Sequence, residues 1–170
     1  MEVYKVHKVC KVKLYRFSPI DTLEQLMEAV VYVSVHASEL GKKITGKTFP
    51  VSSLTIFAHY PEEYEKLCKI LAEPGKIVGE NNGPRFLLQH PIKARDTFIT
   101  HIRVRKPDPY RMQVGCSDFD VEEYQDFKQQ YLSQHPNNLR CIERPDYEMI
   151  EFLNPDFDVL AYIVSAKIHD

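Results

Sequence analysis

Tryptophan is absent, so the aromatic part of any core falls to ten tyrosines and nine phenylalanines. Cysteine is scarce: Cys10, Cys68, Cys116 and Cys141 stand singly, with no Cys-x-x-Cys pair. That spacing excludes a zinc-ribbon pattern and a small disulfide framework, and it reads as buried free thiols. No apolar run approaches the ~18 residues of a membrane span. The N-terminus lacks the positively charged start and apolar centre of a secretory signal. Cytoplasmic residence and no membrane partner are the resulting expectations. Charge of one sign is also lacking, because the formal net charge is -2 and the pI is near 6.4. A whole-protein electrostatic footprint for nucleic acid is thereby excluded, whereas a local basic patch is not. What is present is a 170-residue chain with 44% hydrophobic residues, enough for one compact folded unit and too apolar for disorder.

The densest polar chemistry lies between Phe98 and Asp120 (FITHIRVRKPDPYRMQVGCSDFD). Phe98, Thr100, Ile102 and Val104 alternate with Ile99, His101, Arg103 and Arg105, as a strand with two unlike faces requires. Lys106-Pro107-Asp108-Pro109 stops that strand, since proline lacks an amide donor and restricts the residue before it. The alternation resumes with Tyr110, Met112, Val114 and Cys116 opposite Arg111, Gln113 and Gly115. Solvent explains a polar strand face in the simplest case. The sharper reading is a binding concavity, because guanidinium groups hold carboxylates and phosphates through paired hydrogen bonds. His101, Arg103, Arg105, Tyr110, Arg111 and Gln113 are the candidate ligand-binding residues, suited to an anion with a flat or apolar part.

Along the rest of the chain, residues 3–17 alternate as an amphipathic strand, with lysines that protect a sheet edge or line a site. Asp21 and Glu24 have the spacing of a capping box, and Leu23, Leu26, Met27, Val30, Ala37 and Leu40 form a helical stripe that ends at Gly41. A connection at 42–52 leads to a strand at Leu54–His59 and a helix opened by Pro61. Gly79–Pro84 reads as a loop, and strands at Phe86–Gln89 and Thr97–Arg105 flank another. The second half repeats the order. It has a strand at Met112–Asp118, a cap at Asp120 and Glu123, a helix carrying Tyr124, Phe127 and Tyr131, and strands at Leu139–Ile142, Tyr147–Phe152 and Val159–Ser165.

The repeat is visible in the letters, with PEEYEKLCKIL over VEEYQDFKQQY and FLLQHPIKARDTFITHIRV over MIEFLNPDFDVLAYIVS. It predicts an α+β fold of duplicated βαββ(β) modules that form a curved, mostly antiparallel sheet. A strand-helix extension at 1–52 would precede modules at 53–109 and 110–170. Over residues 53–165 this arrangement, with the closing segment EFLNPDFDVLAYIV, resembles the vicinal oxygen chelate superfamily of glyoxalase, bleomycin-resistance and ring-cleaving dioxygenase proteins. The resemblance implies a ligand-binding cup, and a homodimer that completes it. In metal-dependent members it also implies His and Glu ligands for a divalent metal from the first and last strands of each module. His59, His101 and Glu151 are the candidates here; the last strand, VLAYIVS, offers neither His nor Glu, and Asp118 stands where the second module would place a His.

The main expectation is a protein that binds a small anionic molecule, with catalysis left open. A metal-dependent lyase or dioxygenase is one alternative. A nucleic-acid or protein-binding module using Lys5, Lys8, Lys11 and Lys13, with Tyr4 and Tyr15 interleaved, is another. The segments KVCKVKL and HIRVRK also resemble the strands of triphosphate tunnel phosphohydrolases. Glu2 alone stands where those enzymes carry a pair of carboxylates for Mg²⁺. Covalent catalysis by Cys116 is disfavoured, because the strand pattern places it in the core.

Overall fold

Buried side chains recur every three or four residues from Leu26 through Val30, Val33, Ala37 and Leu40 to Ile44, and the segment Leu23–Thr45 is a single helix, α1. The structure, a computed structural model, describes residues 14–108 and 110–165. The valines of α1 favour strands intrinsically, yet Val30 and Val33 are fully buried in the core, and packing overrides the propensity. The N-cap is Thr22, in a capping box with Gln25, one residue later than the expected Asp21 and Glu24. Gly41 does not end the helix. The left-handed residue at its C-terminus is Gly46, with φ 75°. Gly41 is glycine for another reason: a Cβ there would lie 2.8 Å from the Phe119 ring.

After α1 come β1 (Val51–Phe57), α2 (Pro61–Ala72), β2 (Gly75–Glu80), β3 (Pro84–Ala94) and β4 (Thr97–Arg105). The second half supplies β5 (Gly115–Phe119), α3 (Tyr124–Phe127) continued by a π-helical turn at Lys128–Leu132, β6 (Leu139–Glu143), β7 (Glu148–Phe152) and β8 (Val159–Val164). The eight strands form one open, curved sheet in the order β2-β3-β4-β1-β5-β8-β7-β6. Each half therefore runs strand, helix, three strands, with its first strand beside its last and parallel to it. The other pairings are antiparallel, including the β1–β5 seam where the halves meet. This is the mostly antiparallel α+β architecture the repeat predicts.

Several details differ from the sequence reading. β2 was not expected: its only long apolar side chain besides Val78 is Ile77, which is 58% exposed at the sheet edge, so the strand carries little periodic signal. The strand expected from Met112 begins at Gly115, because Arg111 N donates to Asp108 O in a turn and Tyr110 and Met112 are exposed. Asp120 does not cap α3, whose N-cap is Glu123 without a side-chain bond. Residues 15–17 are bends, and Leu14 before them is irregular rather than the end of a strand. The remainder of that expected strand, with Lys5, Lys8, Lys11 and Lys13, lies outside the described residues. No helix among the described residues is long and apolar enough to cross a membrane.

Strand alternation decides which face each side chain meets. Leu54, Ile56, Ile102, Val104, Ile150 and Ile163 join Leu26, Val30, Val33 and Leu67 in one core between sheet and helices. Each such fully buried aliphatic contributes about 1.5–3 kcal/mol of apolar transfer. The intervening residues point to the face the helices leave open. There Phe57, Cys116 and Leu160 form a small second cluster, and beyond it the face is polar.

Candidate anion site on the open sheet face

Register brings two rows of polar residues together on the open face. Arg85 pairs with Arg103 across β3 and β4, and Arg103 with Thr55 across β4 and β1. One step along, His101 pairs with Ser53, and Ser53 with Asp118 across the seam. These rows floor a cavity of about 380 Å³ lined by Ser53, Thr55, Arg85, Arg103 and Asp118, with Asn81, Asp120, Tyr147, Met149 and Val164 around it.

Charged groups of both signs line this cavity. Burial pushes the Asp118 carboxyl up to about 6, overriding the pull of Arg103, Arg85 and a hydrogen bond from Ser53 in the other direction. Burial and the neighbouring Arg103 lower the Arg85 guanidinium. The Arg103 Nε is buried and has no hydrogen-bond partner among the described residues. A buried donor left unpaired costs about 1–3 kcal/mol, so an arriving acceptor is welcome there. Groups perturbed by desolvation together with specific charges, gathered in a cleft, make that cleft a candidate functional site.

Of the six sequence-derived ligand candidates, Arg103 lines this cavity. His101 lies on the same face with Nδ1 2.9 Å from the Thr100 hydroxyl; burial, then Arg85, lowers its basicity. Arg105 stacks over the Phe57 ring at 4.7 Å and reaches Asp108 at 3.4 Å. Tyr110 is 91% exposed, Arg111 turns to Glu151 at 3.8 Å, and the Gln113 Oε1 is buried without a partner among the described residues. The structure thus spreads the six along the face instead of gathering them.

The three metal-ligand candidates are likewise separate. His59 is buried beneath Tyr15, whose ring stacks on it at 3.9 Å, and its Nδ1 is 2.7 Å from the Ser18 hydroxyl. Ser18 in turn donates to Glu63, which also accepts from the Ile20 and His59 amides. This network fastens the 18–20 segment to the start of α2, and burial lowers the His59 pKa. Glu151 is 1% exposed and spoken for by Arg140 at 2.6 Å and by the Tyr162 hydroxyl. Among the described residues, no group of three or more His, Cys, Asp or Glu is placed to hold a metal ion. Cys116 is buried on the open face, and desolvation raises its thiol far above the reactive range.

Sequence reasoning missed Arg85 and gave Asp118 no role in anion binding. Arg85 precedes the expected strand by one residue, and only the β3–β4 register sets it beside Arg103. No local pattern in the letters carries that pairing.

No protein-family model matches the chain, and no curated protein matches it. Among solved structures the chain is similar to a structural-genomics protein called protein EC4020, with a TM-score of 0.65 and 10% sequence identity over 95% of this chain and 96% of that one. At that identity the likeness concerns the fold alone.

Proposed function

We propose that this protein binds a small anionic molecule in the open-face cavity, with Arg103 and Arg85 as the anion-holding pair. The observation that carries the reading is the buried Nε of Arg103, without a partner among the described residues, in a cavity shared with a second arginine. A carboxylate or phosphate there gains charge-assisted hydrogen bonds from a planar donor fork. Ser53 and Thr55 supply hydroxyls on the floor, and Met149 and Val164 accept an apolar portion. The cup of the vicinal oxygen chelate superfamily, which the sequence resembles, supports the reading by analogy of architecture.

The test is NMR titration of the protein with inorganic phosphate and small carboxylates, repeated on Arg103→Gln. Saturable shifts at residues around the cavity, weakened ~10-fold or more in the variant, are expected for the loss of one charged donor group. Equal binding by both proteins, or shifts elsewhere on the surface, would overturn the assignment.

A further inference from the structure

Asp118 and the proposed anion draw on the same two arginines. The carboxylate sits on β5 in register with Ser53 of β1, which in turn lies opposite His101 of β4. Arg103 is two residues further along β4 on the same face, directly across from Arg85 of β3. Burial disfavours the charge of Asp118, while the fields of Arg103 and Arg85, with a hydrogen bond from Ser53, sustain it. On its other sides stand Asp120 and Cys116 of its own strand and Tyr162 of β8, whose hydroxyl is taken up by Glu151 of β7. Of these, Asp120 repels the carboxylate.

The ionised form of Asp118 thus leans on arginine charge. An anion bound by those arginines offsets that charge and adds its own. The cavity has the volume of a sphere about 9 Å across, so an anion inside it lies within about that distance of Asp118. At about 7–9 Å and an effective dielectric of ~20, one unit charge alters the protonation equilibrium of another roughly 20–50-fold. Screening by water at the open side of the cavity lowers this to ~10-fold. The effect does not require either arginine to lack other partners, since a field acts on every charge within its reach.

We infer that anion binding at Arg103 and Arg85 is coupled to the uptake of a proton from solvent by Asp118. The inference rests on the anion-binding reading above and gives that site its regulation: an acidic medium loads it and an alkaline one empties it. By linkage, affinity is highest where Asp118 is already protonated in the free protein and falls as pH rises through its value of about 6. It levels off once the carboxylate is ionised in both free and bound protein.

The experiment is calorimetric titration with benzenesulfonate, which stays ionised throughout, at several pH values from ~5 to ~8. Affinity is expected to be ~10-fold higher at the acid end. Heats measured in two buffers of different ionisation enthalpy at pH ~6.5 should show uptake of about half a proton per anion bound. Asp118→Asn, a fixed mimic of the protonated carboxyl, should bind at every pH as tightly as the parent does at pH ~5, with the proton uptake gone. His101, on the same face and less basic than a free imidazole, is the control, and His101→Gln should leave the coupling in place. If affinity is flat across the range with no proton uptake, the inference is overturned while the anion reading stands. The same holds if the coupling survives in Asp118→Asn and vanishes in His101→Gln. If neither benzenesulfonate nor inorganic phosphate binds at any pH, the anion reading fails and the coupling with it.

Discussion

Replacing Asp118 by Asn tests whether the site holds its carboxylate at a cost to the fold. The Asp118 carboxyl rises from an ordinary 3.8 to about 6, with burial as the leading cause. A group whose affinity for protons is higher in the folded state favours folding below its unfolded value and loses that contribution as pH rises through the folded one. At about 1.4 kcal/mol per pH unit of difference, ionised Asp118 destabilises the fold by about 3 kcal/mol above pH ~7 relative to pH ~4. Asn keeps the shape and removes the titration. The assay is urea denaturation of both proteins from about pH 4 to about pH 8. Asp118→Asn should match the parent near pH 4 and exceed it by up to about 3 kcal/mol above pH 7. The difference between the proteins is the readout, because His59, its basicity lowered by burial, acts in the opposite sense. Its contribution is present above the unfolded value near 6.5 and declines as pH falls. Parallel curves, or an Asn variant weaker at neutral pH, would refute the reasoning, since Arg103 and Arg85 would then fully compensate the carboxylate.

Three other outcomes follow from the packing. Glu63→Gln cannot accept from the Ile20 and His59 amides and the Ser18 hydroxyl at once, so it should cost about 2–3 kcal/mol in urea unfolding. It should also expose residues 14–20 to proteolysis before global unfolding. Gly41→Ala drives a methyl to 2.8 Å from the Phe119 ring and should cost about 1–3 kcal/mol despite alanine's better helix propensity. Cys116 should resist alkylation in the native protein at mildly alkaline pH and react fully in denaturant, as mass spectrometry of peptides would show.

The modular fold was legible because its signals are local. Pro61 with Glu62 and Glu63 marks a helix start in the letters alone, and the β4 alternation separates Ile102 and Val104 from His101, Arg103 and Arg105, but it fails at the strand's start, where the β3–β4 register shifts and Ile99 is buried with Ile102 while Phe98 is 57% exposed. Arg103 could be nominated on that basis. Arg85 and Asp118 meet it only through strand register, which pairs residues eighteen apart in one case and lies across the seam in the other. Tyr110, Arg111 and Gln113 were grouped with β4 because the apolar-polar alternation continues past the prolines. The backbone does not continue with it. Val114 N bonds to Asp158 O and Phe57 N to Val114 O, so the segment joins β5 only at Gly115 and its side chains disperse. Likewise Thr22 and Gln25 compete with Asp21 and Glu24 as a capping pair at identical spacing, and the letters alone do not decide between them.

Helix α1 belongs to neither repeated half, yet it touches strands of both. It runs along the back of β5, with Val33 against Gly115 at one end and Gly41 against Phe119 at the other. The strand so braced carries Asp118 and borders the seam across which the arginines face it. The helix is therefore a backing bar: it presses on the far side of the strand whose near side floors the cavity. A change in side-chain volume on α1 would thus be felt at the cavity floor without touching any residue that lines the cavity.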